Sequence, residues 1–409
     1  MIDDAFESTL DGIDVDNIFI YVGDAVRWDA LSPRIAGLGT TVKTVAASTY
    51  SPSSFASLVT GRYTPNHGVR TFSHRIPNDV FRFFDAEDVE TTFVNSIFEY
   101  ADREHRRDVD PIFSVLGVEP PDDADPFDDV EPPFIAMERG PGGHAPYGEF
   151  SGTATEYFLS EDATDCDDLV SDYLRSVELD ANQFLRRIEE LERRGLTDDT
   201  LVVYTSDHGE LLGEDGMVGH SSPMRPELVY VPTVFIHPDL PERGVRNEVL
   251  HHADLLPTAF DVLDLETPPN ACDGAVATKG LSNEARPSAC FREFLPDSVP
   301  MLSGDLAYGG AWDANGGYAF ARGSRADRLA VLGAKLFRSS KRRHMRRRVG
   351  SLAVAYARSE TRYGTPRFDR EEARRVLFES MRRLGTVRET DLSVDARQQL
   401  RNLGYVETR

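Results

Sequence analysis

Lysine is nearly missing from this 409-residue chain: only Lys43, Lys279, Lys335 and Lys341 occur, against 69 acidic residues, and the formal net charge is −24. That balance excludes a general nucleic-acid binder, whose footprint is basic. It suits solvation in strong salt, because a Debye length of about 3 Å at 1 M screens the self-repulsion of an acidic surface. Cysteine is also scarce. Cys166, Cys272 and Cys290 form no CxxC pair, which excludes a disulfide framework and a thiolate zinc site. No apolar run approaches the ~20 residues of a membrane helix. Met1–Asp16 is acidic and lacks the basic and apolar segments of a signal peptide. The expectation is a soluble protein of a salt-rich cytoplasm.

Hydrophobic residues make up 40% and aromatic residues 10% of the chain, enough for a substantial core and too much for dominant disorder. The first two-thirds alternate short apolar runs with helical patterns, the signature of a βαβ sheet. Asn17–Val22, Thr200–Thr205 and Val231–Ile236 read as buried strands, with Thr92–Val94 and Phe134–Met137 weaker. Apolar residues spaced three or four apart predict an amphipathic helix from about Asp167 to Arg194, closed by Gly195. Beyond Glu266 the βα rhythm stops, and Pro268-Pro269-Asn270 reads as a joint. The stretch up to Gly323 reads as Gly-rich and irregular, and the tail from Asp369 as helical. Between Arg322 and Arg383 stand 19 Lys+Arg against 6 Asp+Glu, with Lys341–Arg348 the densest part.

Two strands end in residues suited to a metal. Asn17–Val22 runs into Gly23-Asp24, and Thr200–Thr205 runs into Ser206-Asp207-His208-Gly209-Glu210. In an open α/β sheet, functional groups collect beyond the carboxyl ends of the strands. Carboxylate and imidazole converging there suit a divalent cation with oxygen and nitrogen ligands. Ser48–Arg62 reads as a hydroxyl-rich turn leading into a short helix. A serine at such a start either caps the helix or stands ready as a nucleophile towards an anionic ester.

Taken in order, these segments resemble the sulfatase branch of the alkaline phosphatase superfamily. Asn17–Asp29 (NIFIYVGDAVRWD) is similar to the opening strand with its metal aspartate, and Ser51–Gly68 (SPSSFASLVTGRYTPNHG) to the nucleophile turn and helix. Gly143–Tyr147 (GHAPY) matches a His-x-Pro-Tyr loop, and Thr197–Gly213 (TDDTLVVYTSDHGELLG) is the strongest segment. Gly216–Pro232, Asp254–Thr258 (DLLPT) and Leu403–Glu407 (LGYVE) continue the series. The resemblance implies an α/β fold: an alkaline-phosphatase-like three-layer sandwich with a mostly parallel central sheet, plus a smaller C-terminal subdomain. The expected catalytic part is residues 1–265. Residues 266–409 would form the subdomain, with its basic segment at 322–383 and a helical tail.

The resemblance further implies that Asp24, Asp207 and His208 hold one or two divalent cations (Ca, Mg, Mn or Zn). Counting back from Thr60-Gly61 puts Ser51 at the nucleophile position, whereas counting from Pro52 puts Tyr50 there. His144 and His220 would contact the leaving group or the anionic oxygens, one of them as general acid. His67 is expected to be structural, and His251 and His252 packed or solvent-facing. Three departures stand out. Phe55 occupies the place of the motif's arginine and Ser53 that of its proline, so conversion to formylglycine is not expected. Arg27 or Arg62 is then the candidate to replace the lost cation. Ala25 stands where a second aspartate often follows the first.

The expected function is a metal-dependent hydrolase or transferase acting through a serine on a sulfate or phosphate ester. The partner would be an anionic glycan, a lipid head group or a small molecule. The alternative is a sulfatase-fold protein that binds an anionic glycan or lipid without turnover. For Lys341–Arg348 the expectation is packing against the chain's own acidic surface, and the competing one is weak contact with an anionic membrane surface.

Overall fold

The computed structural model describes residues 10, 12–97, 110–121, 125–128, 130–160, 166–220, 223–245, 247–281, 283–293, 305–381 and 383–403. Most of the LGYVE segment therefore lies outside the described residues. The first part of the chain supplies β1 (Asn17–Gly23), β2 (Thr40–Val45), β3 (His74–Arg75), β4 (Glu90–Asn95) and β5 (Phe134–Gly140). It continues with β6 (Thr200–Ser206), β7 (Tyr230–Ile236), β8 (Arg243–Gly244) and β9 (Leu250–His251). All but β3 join one eight-stranded sheet of order β4-β5-β1-β6-β7-β2-β8, with β9 also pairing β2. Only β7 runs against the common direction.

β1 is covered on both faces, as a central parallel strand must be, and this explains its unbroken apolar run. Phe19 and Tyr21 pack with Phe134, Phe184 and Tyr204 beneath the long helix Cys166–Arg194, which ends at Gly195 in the left-handed conformation (φ 69°). Ile18, Ile20 and Val22 face the opposite core, shared with Phe55 and Leu58 of the helix Ser51–Thr60 and Leu255 of the helix His252–Val262. Sheet and two helical faces make the three layers.

Past residue 266 the structure departs from the irregular stretch expected up to Gly323. β10 (Arg286–Glu293), β11 (Asp305–Asp313), β12 (Gly316–Arg322) and β13 (Glu360–Gly364) form a four-stranded antiparallel sheet. Its strands carry no β-branched run, and two of their glycines make room for one large ring. A Cβ on Gly310 would lie 2.4 Å from Trp312 Nε1, and one on Gly317 2.5 Å from the Trp312 ring, which is fully buried. The tail contains the helices Arg370–Ser380 and Val394–Asn402. Between them β14 (Arg388–Glu389) pairs with β3. With the Ala289 N–H donating to Ala47 O at 2.9 Å, and a buried Arg286–Asp254 ion pair, this pairing joins the later stretch to the earlier one. Among the described residues no helix is long and apolar enough to cross a membrane.

Candidate active site at the carboxyl ends of the strands

β5, β1 and β6 lie side by side and parallel, with Gly23 opposite both Gly140 and Ser206. The residues that follow these glycines and serine therefore emerge together at one edge. From β1 comes Asp24 and from β6 come Asp207 and His208, all fully buried, and one ligand atom of each lies within 4.8 Å of the others. Ala25 sits in the left-handed region (φ 60°) and aims its N–H at Asp207 Oδ1, 2.9 Å away. The His208 N–H donates to the same oxygen at 2.8 Å. Asp207 Oδ2 accepts no hydrogen bond and stands 3.5 Å from His208 Nε2.

The His208 ring donates from Nδ1 to Gly209 O at 2.9 Å, since a carbonyl can only accept. Its Nε2 lone pair consequently faces the cluster. There it meets the Ser51 hydroxyl at 3.2 Å. Ser51 is the first residue of a ten-residue helix, whose positive end points at the site. Tyr50, the other register, is the extended residue before the helix and stacks its ring near His220, centroids 6.5 Å apart.

His144 arrives on the loop after β5. Gly142 (φ 56°) lets that loop cross Asp24, where a Cβ would come within 1.9 Å of Asp24 O, and the Gly143 N–H donates to the same carbonyl at 2.7 Å. Asp180, from the long helix, accepts from the Gly142 N–H and the Tyr21 and Tyr204 hydroxyls at 2.8–2.9 Å. His144 donates from Nδ1 to Ala145 O at 2.7 Å. His220 closes the group, its ring centroid 4.5 Å from that of His208 and 5.3 Å from that of His144. Its Nδ1 lies 3.1 Å from Glu210 Oε2, so this imidazole and carboxyl share a proton.

Burial raises the Asp24 pKa, but the Arg139 guanidinium, with help from His144 and His208, more than offsets it, and the net direction is down. Asp207 goes the other way, raised by burial and by the Asp24 charge. Burial lowers His144 to about 4, so this ring is neutral near pH 7. Glu210 is pushed up to about 8, by burial first, with Lys341 opposing. Two buried carboxylates and an inward imidazole nitrogen form an oxygen–nitrogen donor set that fits a divalent cation. The raised Asp207 pKa and its oxygen without a hydrogen bond mark where added positive charge would be compensated.

The structure corrects the expectation for the missing cation. Arg27 is held by Asp29 and Glu214, and Arg62 donates to Ala271 O. Arg139, at the end of β5, stands there instead. It is almost fully buried, forks onto Asp24 Oδ2 through Nε and Nη2, and lies 5.3 Å from the centroid of the Phe55 ring. The ring that occupies the motif's arginine position thus carries a guanidinium from another strand. Sequence spacing held no signal for this, because Arg139 follows an ordinary strand pattern.

His67, His251 and His252 are buried among structural partners. His67 Nε2 lies 3.1 Å from Ser57 Oγ, and burial lowers this ring to about 3. His251 and His252 are fully buried, so neither faces solvent. His251 caps its helix, and His252 bridges Ala47 N and Ser206 O between the ends of β2 and β6. In the basic segment, Arg342, Arg343, Arg346 and Arg348 donate to the carbonyls of Ser339, Leu159, Leu336 and Gly213.

The family model for sulfatases matches residues 30–265. This chain belongs to the sulfatase family. Across nearly its whole length it is 32% identical to the low-salt glycan biosynthesis sulfotransferase Agl7 of Haloferax volcanii, with 96% of each chain covered. Among solved structures, the 2-O GAG sulfatase BT1596 superposes with a TM-score of 0.55 at 14% identity, over 75% of this chain and 83% of that one. The phosphonate monoester hydrolase of Agrobacterium radiobacter gives 0.54 at 17% identity, over 83% of this chain and 96% of the other. These two likenesses establish the alkaline-phosphatase-like fold of this sulfatase-family chain.

Proposed function

We propose that this sulfatase-family enzyme transfers a sulfuryl group from an anionic ester to a glycan hydroxyl, with Ser51 as nucleophile and Asp24, Asp207 and His208 as the cation site. The observation that carries the reading is the 3.2 Å approach of Ser51 Oγ to His208 Nε2, at the start of a helix and inside the donor cluster. A divalent ion bound there would supply Lewis-acid stabilisation of the ester oxygens and of the Ser51 oxyanion. Ser51 Oγ attacks the sulfur and the bond from sulfur to the leaving oxygen breaks. The leaving alkoxide takes a proton from His220 Nε2 while Glu210 supports the ring. Neutral His144, with Nδ1 donating to Ala145 O, offers its Nε2 to the ester oxygens or the leaving group.

The serine decides between transfer and hydrolysis. A formylglycine hydrate has a second hydroxyl that expels the bound group; a serine ester has none and is discharged only by attack at sulfur. Any hydroxyl held in line can make that attack, and the whole-length likeness to a protein named as a glycan sulfotransferase favours a sugar hydroxyl over water. The same chemistry serves a phosphoryl group. The test is incubation with nitrophenyl sulfate or nitrophenyl phosphate in molar salt, with divalent cation and a sugar acceptor. A modified Ser51 peptide and a modified acceptor support the reading; turnover with no label on Ser51 refutes the serine route.

A further inference from the structure

Three consecutive helices after residue 324 make one basic layer. Between Arg325 and Ala357 stand ten Lys or Arg and a single acidic residue, Asp327, in a chain whose net charge is −24. Asp327 is buried in the capping box of its own helix, so the charge this stretch shows to solvent is positive. Arg328, near the start of the helix Arg325–Arg338, donates to Tyr356 O and Ala357 O at the end of the helix Val349–Ala357. At the other end Arg346 Nε, from the short helix Arg342–Arg347, donates to Leu336 O at 2.7 Å. The chain thus doubles back as an antiparallel hairpin. Its inner side, with Val331, Leu332, Leu352 and Tyr356, is buried in the main core.

The outer side is apolar as well as basic. Leu329, Gly333 and Phe337 recur at steps of four along one side of the first helix, and Phe337 is 75% exposed. Val349 and Val354 are exposed on the last helix, Val354 by 52%. A Cβ added to Gly333 or Gly350 would point into open space, with nothing within 4 Å beyond its own turn. Arg346 lies over the exposed Phe337 ring, 5.5 Å from its centroid. Arg343 and Arg348 donate to the carbonyls of Leu159 and Gly213, which accept a hydrogen bond without cancelling the charge.

We propose that this outer side docks on an anionic lipid bilayer, with Phe337, Val349 and Val354 entering the head-group boundary and the arginines beside them on lipid phosphates. The two contributions need each other. At molar salt a Debye length of about 3 Å leaves attraction only between groups in contact, so charge alone would not hold the chain. Burial of apolar side chains is not screened, and Arg forks pair phosphate oxygens at contact distance. A basic surface with a few large apolar residues is the pattern of helices that lie in a membrane interface. The rest of the chain is strongly acidic and is repelled by the same lipids, which turns the hairpin towards them. A second copy fits this side less well, because a two-fold contact would set ten cations against ten.

Co-sedimentation of the full chain with phosphatidylglycerol vesicles in molar salt tests the proposal. Binding should exceed that to phosphatidylcholine vesicles. Phe337→Ser combined with Val354→Ser should weaken it roughly tenfold or more, the effect of withholding one or two buried apolar side chains, at an unchanged melting temperature. Arg343→Gln combined with Arg346→Gln should remove the preference for phosphatidylglycerol. In Phe337→Trp the added fluorescence should be quenched by brominated lipid, which reads insertion at that position even if the serine variants do not fold. No binding by the wild type, equal binding to both lipids, or an unquenched Phe337→Trp overturns the proposal. A dimer that depends on Phe337 and leaves the vesicles unbound overturns it too, since this side would then join two copies of the chain.

Discussion

The guanidinium of Arg139 forks onto one oxygen of Asp24 and lies over the ring of Phe55. Three residues from three elements are thereby locked together at the floor of the site. Removing one partner of a buried pair leaves an uncompensated charge, which typically costs about 3–5 kcal/mol. Arg139→Met should therefore lower the chemical-denaturation midpoint sharply. Added divalent cation should recover part of the loss, because it compensates Asp24 from the other side. Unchanged stability would show that Asp24 does not depend on this pair.

Ser51→Ala should abolish group transfer and leave the fold nearly intact. The hydrogen bond of this hydroxyl to His208 is worth about 1 kcal/mol. Intact mass of the wild-type protein should show an unmodified serine at this position. A mass consistent with formylglycine there, or an active Ser51→Ala variant, would contradict the serine route.

Asp24→Asn, Asp207→Asn and His208→Ala should each weaken divalent-cation binding, read by calorimetry on the purified protein. Loss of a residue that merely supports a ligand costs about 10–100-fold in metal affinity, so loss of a ligand should cost more. Wild-type affinity in all three variants would remove the cation from this site.

Asp180 gives a pH test that does not involve the metal. Burial raises its pKa to about 6 in the folded chain, from 3.8 when exposed. As pH falls through 6 the folded state takes up this proton before the unfolded state does. The Asp180 contribution to stability therefore increases between pH 6 and 4 and is lost as pH rises again. Asp180→Asn, which is neutral throughout, should flatten that part of the pH–stability curve. Because Asp180 holds the Gly142 N–H, the variant should also loosen the His144 loop and slow turnover. A curve parallel to the wild type would refute the raised pKa.

Much of this site was legible along the chain because each part is local. A continuous apolar run must be a strand covered on both faces, and the residue after it must surface at the strand's end. Asp24, Asp207 and His208 follow from that rule together with donor chemistry. His144 and His220 needed the family resemblance, since nothing in their local spacing distinguishes them from His67 or His252. The four-stranded sheet after residue 285 was not legible. Gly310 and Gly317 leave room for Trp312, and a pattern of small residues reads the same in a loop.

What the sequence by itself determined is the set of groups: an acidic, lysine-poor chain, strand-end carboxylates with one imidazole, a serine at a helix start, and no cysteine to oxidise beside it. What only the tertiary structure decided is which cation serves that set. Arg139 lies 115 residues from its partner Asp24. A long side chain can reach a site from any element that packs beside it, and strand pairing and the fit between loops, rather than spacing along the chain, determine which element that is.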